Sequence, residues 1–218
     1  MTAMWPEQKK RFEPRRESVV NRGRVHDIAR SRPDDAFSLA RTIPDGWYRC
    51  QAMTAIAEAA PDGLADKAFK AAREAAAAGE DAYQQTAVLA VTLHAAIKRG
   101  RGKLVRDILG DILARTPSVE PMASRAAALG WLWAVVKSAG TAEMRKTVLA
   151  AVQAHCHPDR SWRAARLYRE MAEDLARTDP TFATLFVRAM PEGKARANLL
   201  RRLAAAGHLP NLPAGRDS

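Results

Sequence analysis

Apolar and small residues recur three and four positions apart along most of the chain, and breakers separate the runs at short intervals. Asp34–Ile43 and Asp45–Ala59 read as two amphipathic helices that meet at Pro44-Asp45-Gly46, a breaker followed by a helix start. Four more pairs follow: Leu64–Ala78 with Asp81–Lys98, Lys103–Arg115 with Pro121–Lys137, Ala142–His155 with Ser161–Arg177, and Pro180–Ala189 with Glu192–Ala206. Asp62, Asp81, Thr141 and Asp179 stand where a side-chain oxygen can accept a free N–H of a first helical turn. Leu104, Ile108, Ile112 and Leu113 share one face of their helix. Upstream, the first dozen residues read as irregular. Pro14 suits the first turn of a helix running to about Ala29, with Val19, Val20, Val25 and Ile28 as its apolar positions. β-Branched runs are short, so almost no sheet is expected.

The first pair returns near the C-terminus. At a constant offset of 147 residues Arg41 matches Arg188, Pro44 matches Pro191, Gly46 matches Gly193 and Arg49 matches Arg196. The second helices of the pairs share a polar-then-apolar start at Arg49, Gln84, Arg125, Arg163 and Arg196, in steps of 35, 41, 38 and 33 residues. Such a period belongs to helical repeats, in which each unit buries its apolar face on its neighbours. On period and pattern, residues 34–207 resemble the HEAT and armadillo helical-repeat families. The resemblance implies an all-α, right-handed α-solenoid of about five antiparallel helical hairpins. Residues 1–33 would be a basic lead and capping helix, and residues 208–218 a flexible tail. The uneven steps argue against the fixed 34-residue tetratricopeptide repeat. An irregular helical bundle is the alternative architecture.

Composition changes this picture in one respect, the charge. Thirty-five basic side chains face 24 acidic ones, for a net +11. Arg outnumbers Lys 26 to 9, and residues 1–33 carry +5 of the total. A basic surface suits nucleic acid, an anionic membrane or an acidic partner. A coding bias toward Ala and Arg would leave the same composition. The most apolar run, Ala126–Val136, is far short of the roughly 18 residues a membrane helix needs. The N-terminus lacks the apolar core of a secretory signal. Cys50 and Cys156 fall in different repeats, so a cytoplasmic, reducing setting is expected.

Candidate chemistry centres on arginine. The resemblance places second helices on a concave face, with Arg49, Arg125, Arg163 and Arg196 near one end of it. Guanidinium groups bind carboxylate or phosphate through paired hydrogen bonds. Against this, each Arg could pair with a nearby acid or cap a loop. Lys98, Arg99, Arg101, Lys103 and Arg106 form the densest basic cluster, suited to a phosphate backbone or to a solvated turn at a helix C-terminus. Arg166 and Arg169 each precede a glutamate by four residues, which permits ion pairs with Glu170 and Glu173. Trp131 and Trp133 face different sides of one helix, one inward and one available for contact. Trp162 beside Arg163 could stack a base. That pair, with size, helix content and charge, resembles the helical-repeat alkylpurine DNA glycosylases. No Asp matches their catalytic acid, and Asp159 is merely nearby. His155-Cys156-His157 lacks the converging ligands of a metal site, and no cofactor motif is present. The expected function is a non-enzymatic scaffold holding an acidic protein or peptide. Nucleic-acid binding is the alternative.

Overall fold

The computed structural model describes residues 6–208, with side chains from residue 15 onward, and no strand occurs among them. The helices are α1 (Pro6–Ile28), α2 (Pro33–Arg41), α3 (Gly46–Ala59), α4 (Asp62–Ala77), α5 (Ala82–Ala87), α6 (Leu89–Lys98), α7 (Gly102–Arg115), α8 (Met122–Ala139), α9 (Ala142–His155), α10 (Trp162–Ala176), α11 (Pro180–Arg188) and α12 (Lys194–Ala205). Short 3-10 turns cover Thr116–Ser118 and Pro158–Arg160. Most of the segment expected as a tail lies outside the described residues.

Helix starts follow local chemistry. Asp45 accepts from the N–H groups of Trp47 and Tyr48, Asp81 from Gln84, Thr141 from Met144 and Asp179 from Phe182. Asp62 departs from expectation. It is the first residue of α4 and makes no cap bond, because its carboxylate is taken by Arg99 and Arg101. The helix expected from Pro14 begins at Pro6 instead. Proline is suited to a first turn because its missing N–H would have no partner there. The buried stripe of α1 is Ser18, Asn21 and Val25, continued by Ala29 just past its end, whereas Val19 and Val20 are exposed. The expected helix Asp81–Lys98 is interrupted at Val88, where φ −67° and ψ −28° stay helical.

The chain forms two compact units, one through Val119 and one from Glu120. The boundary falls in the loop between α7 and α8. In the first unit α3 packs most extensively on α4 and also meets α1 and α6, while α7 packs on α5 and α6. Its core is alanine-rich, with Ile43, Met53, Ile56, Phe69, Leu93, Ile108 and Ile112 as larger members. Small side chains let helices approach closely. Gly46 is the extreme case, since a Cβ there would lie 2.7 Å from the Ala75 carbonyl oxygen. Between α3 and α6, the buried hydroxyls of Thr54 and Thr92 are hydrogen-bonded at 2.9 Å, with the Cys50 thiol 3.4 Å from Thr92.

In the second unit α10 is central and contacts α8, α11 and α12. Its Tyr168 is fully buried, stacks on Phe186 at 5.5 Å and donates to the Cys156 carbonyl at the end of α9. Burial pushes the Tyr168 hydroxyl pKa up. Trp133 is buried and its indole N–H donates to Asp174 at 3.0 Å; Lys137 and Arg177 hold the same carboxylate at 2.9 Å.

Contacts between residues about one repeat apart recur in both units. Thr54–Thr92 and Arg73–Asp111 are 38 residues apart, Arg99–Asp62 and Lys137–Asp174 are 37 apart, and Lys98–Glu58 are 40 apart.

Candidate functional site

Most of the sequence-predicted cations are built into the fold. In the first unit, Arg49 donates through Nη1 to the carbonyls of Ile43 and Pro44, closing the loop before its own helix. Lys98 pairs with Glu58. Arg99 donates to the Glu58 and Ala60 carbonyls at the end of α3 and pairs with Asp62 at 2.5 Å. Arg101 pairs with Asp62 at 2.7 Å and Asp66 at 3.4 Å. The free carbonyls at a helix C-terminus attract such cations. Only Lys103 and Arg106 of this cluster form no ion pair among the described residues, and both are exposed.

In the second unit, Arg125 is nearly enclosed. It donates to the His155 carbonyl at the end of α9 and pairs with Glu120 at 2.5 Å. Arg196 pairs with Glu192, one turn earlier, at 3.4 Å. Neither is brought to an open groove. Arg163 is different: it is exposed, and its guanidinium lies 5.4 Å from the ring centre of Trp162. Trp162 is 68% exposed and Trp131 48%, the largest exposed aromatic surfaces among the described residues.

These two tryptophans border one groove of about 390 Å³ between α8 and α10. Helical spacing builds it. Ala126, Ala127, Gly130 and Ala134 form a floor of small residues on α8, and Trp131 rises beside them. From α10, Trp162, Arg163, Arg166 and Glu170 form the opposite wall. A second groove of about 480 Å³ opens between α10 and α12, lined by Arg169, Asn198 and Arg202. Trp162 and Arg166 belong to both, so Trp162 stands on the ridge between them. Arg166 pairs with Glu170 at 2.7 Å, as its spacing implies. Glu173, however, pairs with Arg202 at 2.9 Å rather than with Arg169. Among the described residues Arg163 and Arg169 form no ion pair, so this face carries uncompensated positive charge.

Sequence reasoning reached Trp162 and Arg163 but assigned Arg169 to a local pair. Its partner was withdrawn by α12, and that competition has no signal within α10. Asp159 is structural: its Oδ1 accepts the Ala195 N–H at 2.9 Å at the start of α12, and Oδ2 fills the space that a Cβ at Gly193 would need. Cys156 and Cys50 are buried thiols, each pushed up to about 11 by desolvation. No group of three potential metal ligands converges among the described residues, and no helix there is long and apolar enough to cross a membrane.

Comparison with family models, with characterised proteins and with solved structures gave no match.

Proposed function

We propose that the α8–α10–α12 face of the second unit is a binding surface for a short acidic peptide segment of a protein partner, and that the chain is a scaffold rather than an enzyme. The observation that carries this reading is the pair of exposed tryptophans flanking a groove of small residues, with Arg163 uncompensated in its wall and Arg169 uncompensated in the adjoining groove that shares Trp162. An apolar side chain of the partner would lie on the alanine and glycine floor between the indoles. Carboxylates on either side of it would meet the guanidinium groups. Exposed Trp and Arg are the residue types that most often dominate binding energy at interfaces.

A right-handed solenoid of about five helical hairpins is the architecture in which we place this face. Its support is the recurrence of side-chain contacts at 37 to 40 residues, close to the sequence period. In that arrangement α8, α10 and α12 are successive second helices.

One feature favours a second reading, nucleic-acid binding: Trp162 beside Arg163 is a ready platform for an unpaired base. The loss of Lys98, Arg99 and Arg101 to internal ion pairs weakens it, because a phosphate-tracking stripe needs free cations. The test is titration of tryptophan fluorescence with the peptides EELFEE, KKLFKK and EEGSEE, and separately with a single-stranded dT oligomer across a salt series. EELFEE should bind, the other two peptides at least tenfold more weakly. Trp162→Ala should lower the EELFEE affinity at least tenfold, about 1.4 kcal/mol. If the dT oligomer binds more tightly than EELFEE, with a steep salt slope that Arg163→Ser/Arg169→Ser flattens, the nucleic-acid reading replaces the peptide one.

A further inference from the structure

The first unit holds a cleft of about 480 Å³ whose walls come from three helices. Phe37 and Arg41 project from α2, Arg49 and Met53 from α3, and Lys67 and Lys70 from α4. On α2 and α3 the pairs are spaced i, i+4 and on α4 i, i+3, so each helix turns one apolar or cationic edge toward the same space. Four cations therefore line the cleft against one carboxylate, Glu74, which lies 4.0 Å from Lys70. Arg41, Arg49 and Lys67 form no ion pair among the described residues. This contrasts with Arg99 and Arg101 in the same unit, which are neutralised by acids.

Arg49 is the informative member. Its Nη1 is held by the carbonyls of Ile43 and Pro44 at 2.9 and 3.4 Å, which fixes the plane of the guanidinium. The structure gives no partner to its Nε or Nη2, so a pre-set donor pair remains for an anion. Pre-organised donors lose less freedom on binding. The floor is apolar, with Met53 fully buried and Phe37 half-buried. Cleft volume falls within the range of about 300–1,000 Å³ usual for small-molecule sites.

We infer that this cleft binds a phosphate monoester carried on a small apolar or aromatic body. A phosphate monoester is close to a dianion at neutral pH, with a second pKa of about 6. It would neutralise the excess of Arg41, Arg49 and Lys67 better than a single carboxylate does. The attached carbon body would rest against Phe37 and Met53. The site is separate from the tryptophan face of the second unit and rests on none of its residues.

The test is calorimetric titration of the full chain with phenyl phosphate, inorganic phosphate and phenol. Phenyl phosphate should saturate at least tenfold more tightly than inorganic phosphate, and phenol should not bind. Arg41→Gln/Lys67→Gln should weaken phenyl phosphate at least tenfold. Both residues are exposed and without ion pairs, so the variant should keep its circular dichroism and melting temperature. Phe37→Ser should weaken phenyl phosphate while leaving inorganic phosphate unchanged, and Arg163→Ser/Arg169→Ser should change neither. No saturation by phenyl phosphate, or equal binding by the Arg41/Lys67 variant, overturns the inference. So does displacement of phenyl phosphate by a dT oligomer at lower concentration, which would assign the cleft to a phosphodiester backbone.

Discussion

Gly46 and Gly193 occupy matched positions 147 residues apart, and in each case a side chain has no room, for different reasons. At Gly46 the obstacle is backbone: a Cβ would lie 2.7 Å from the Ala75 oxygen and 3.0 Å from the Ala78 carbonyl carbon. At Gly193 it is the Asp159 carboxylate that caps α12. Backbone cannot rotate aside, so Gly46→Ala should force α3 away from α4 and cost about 1–3 kcal/mol in urea unfolding. Gly110 is the control. It lies inside α7, exposed, with nothing within 4 Å of where a methyl would stand, and Gly110→Ala should stabilise by roughly 0.5–1 kcal/mol. The repeat pattern marked both matched glycines without distinguishing the two causes, since each cause depends on a neighbour outside the matched segment.

At the scale of the element, α7 shows how far a hydrophobic pattern carries. The spacing of Leu104, Ile108, Ile112 and Leu113 predicts one shared face; Ile108 and Ile112 are buried, and Leu104 and Leu113 are half-buried. Ile108 is fully enclosed, so Ile108→Ala should remove about 2–5 kcal/mol of stability in the same measurement. The start of α1 and the exposure of Val19 and Val20 were not legible in this way. There the inward stripe includes Ser18 and Asn21, and a polar residue on a buried face defeats a reading based on apolar spacing. Helix starts capped by Asp81, Thr141 and Asp179 were legible because the capping oxygen acts within three residues. Asp62 misled for the complementary reason: its partners, Arg99 and Arg101, arrive from 37 and 39 residues away.

Across the whole molecule the net charge of +11 overstates what is available to a partner. Arginines close helix C-termini at Arg99 and Arg125 and a loop at Arg49, using carbonyls that would otherwise lack partners. Arg99→Ser/Arg101→Ser should therefore act first on stability. The expected loss is roughly 1–2 kcal/mol in thermal or urea unfolding, mainly from the uncapped end of α3, since Asp62 is exposed and its ion pairs are screened. A retained melting temperature with weaker oligonucleotide binding would reverse that assignment. The candidate site was half legible. Trp162 and Arg163 stand side by side in the chain, whereas the small-residue floor that makes them a groove comes from α8. The cleft of the first unit was legible only at Arg49, because its cations are contributed by three helices and only their convergence gives it meaning.

The buried faces of α3 and α6 mix alanine with Met53, Ile56, Leu89 and Leu93, and two such rods displaced by one turn, about 5.4 Å, would again set apolar atoms against apolar atoms. The hydroxyls of Thr54 and Thr92 remove that freedom between α3 and α6. Displaced by a turn, each would be stranded in an apolar seam, at about 1–3 kcal/mol apiece. The pair therefore acts as a detent: it adds little to the strength with which the rods are held, but it allows them only one position to rest in.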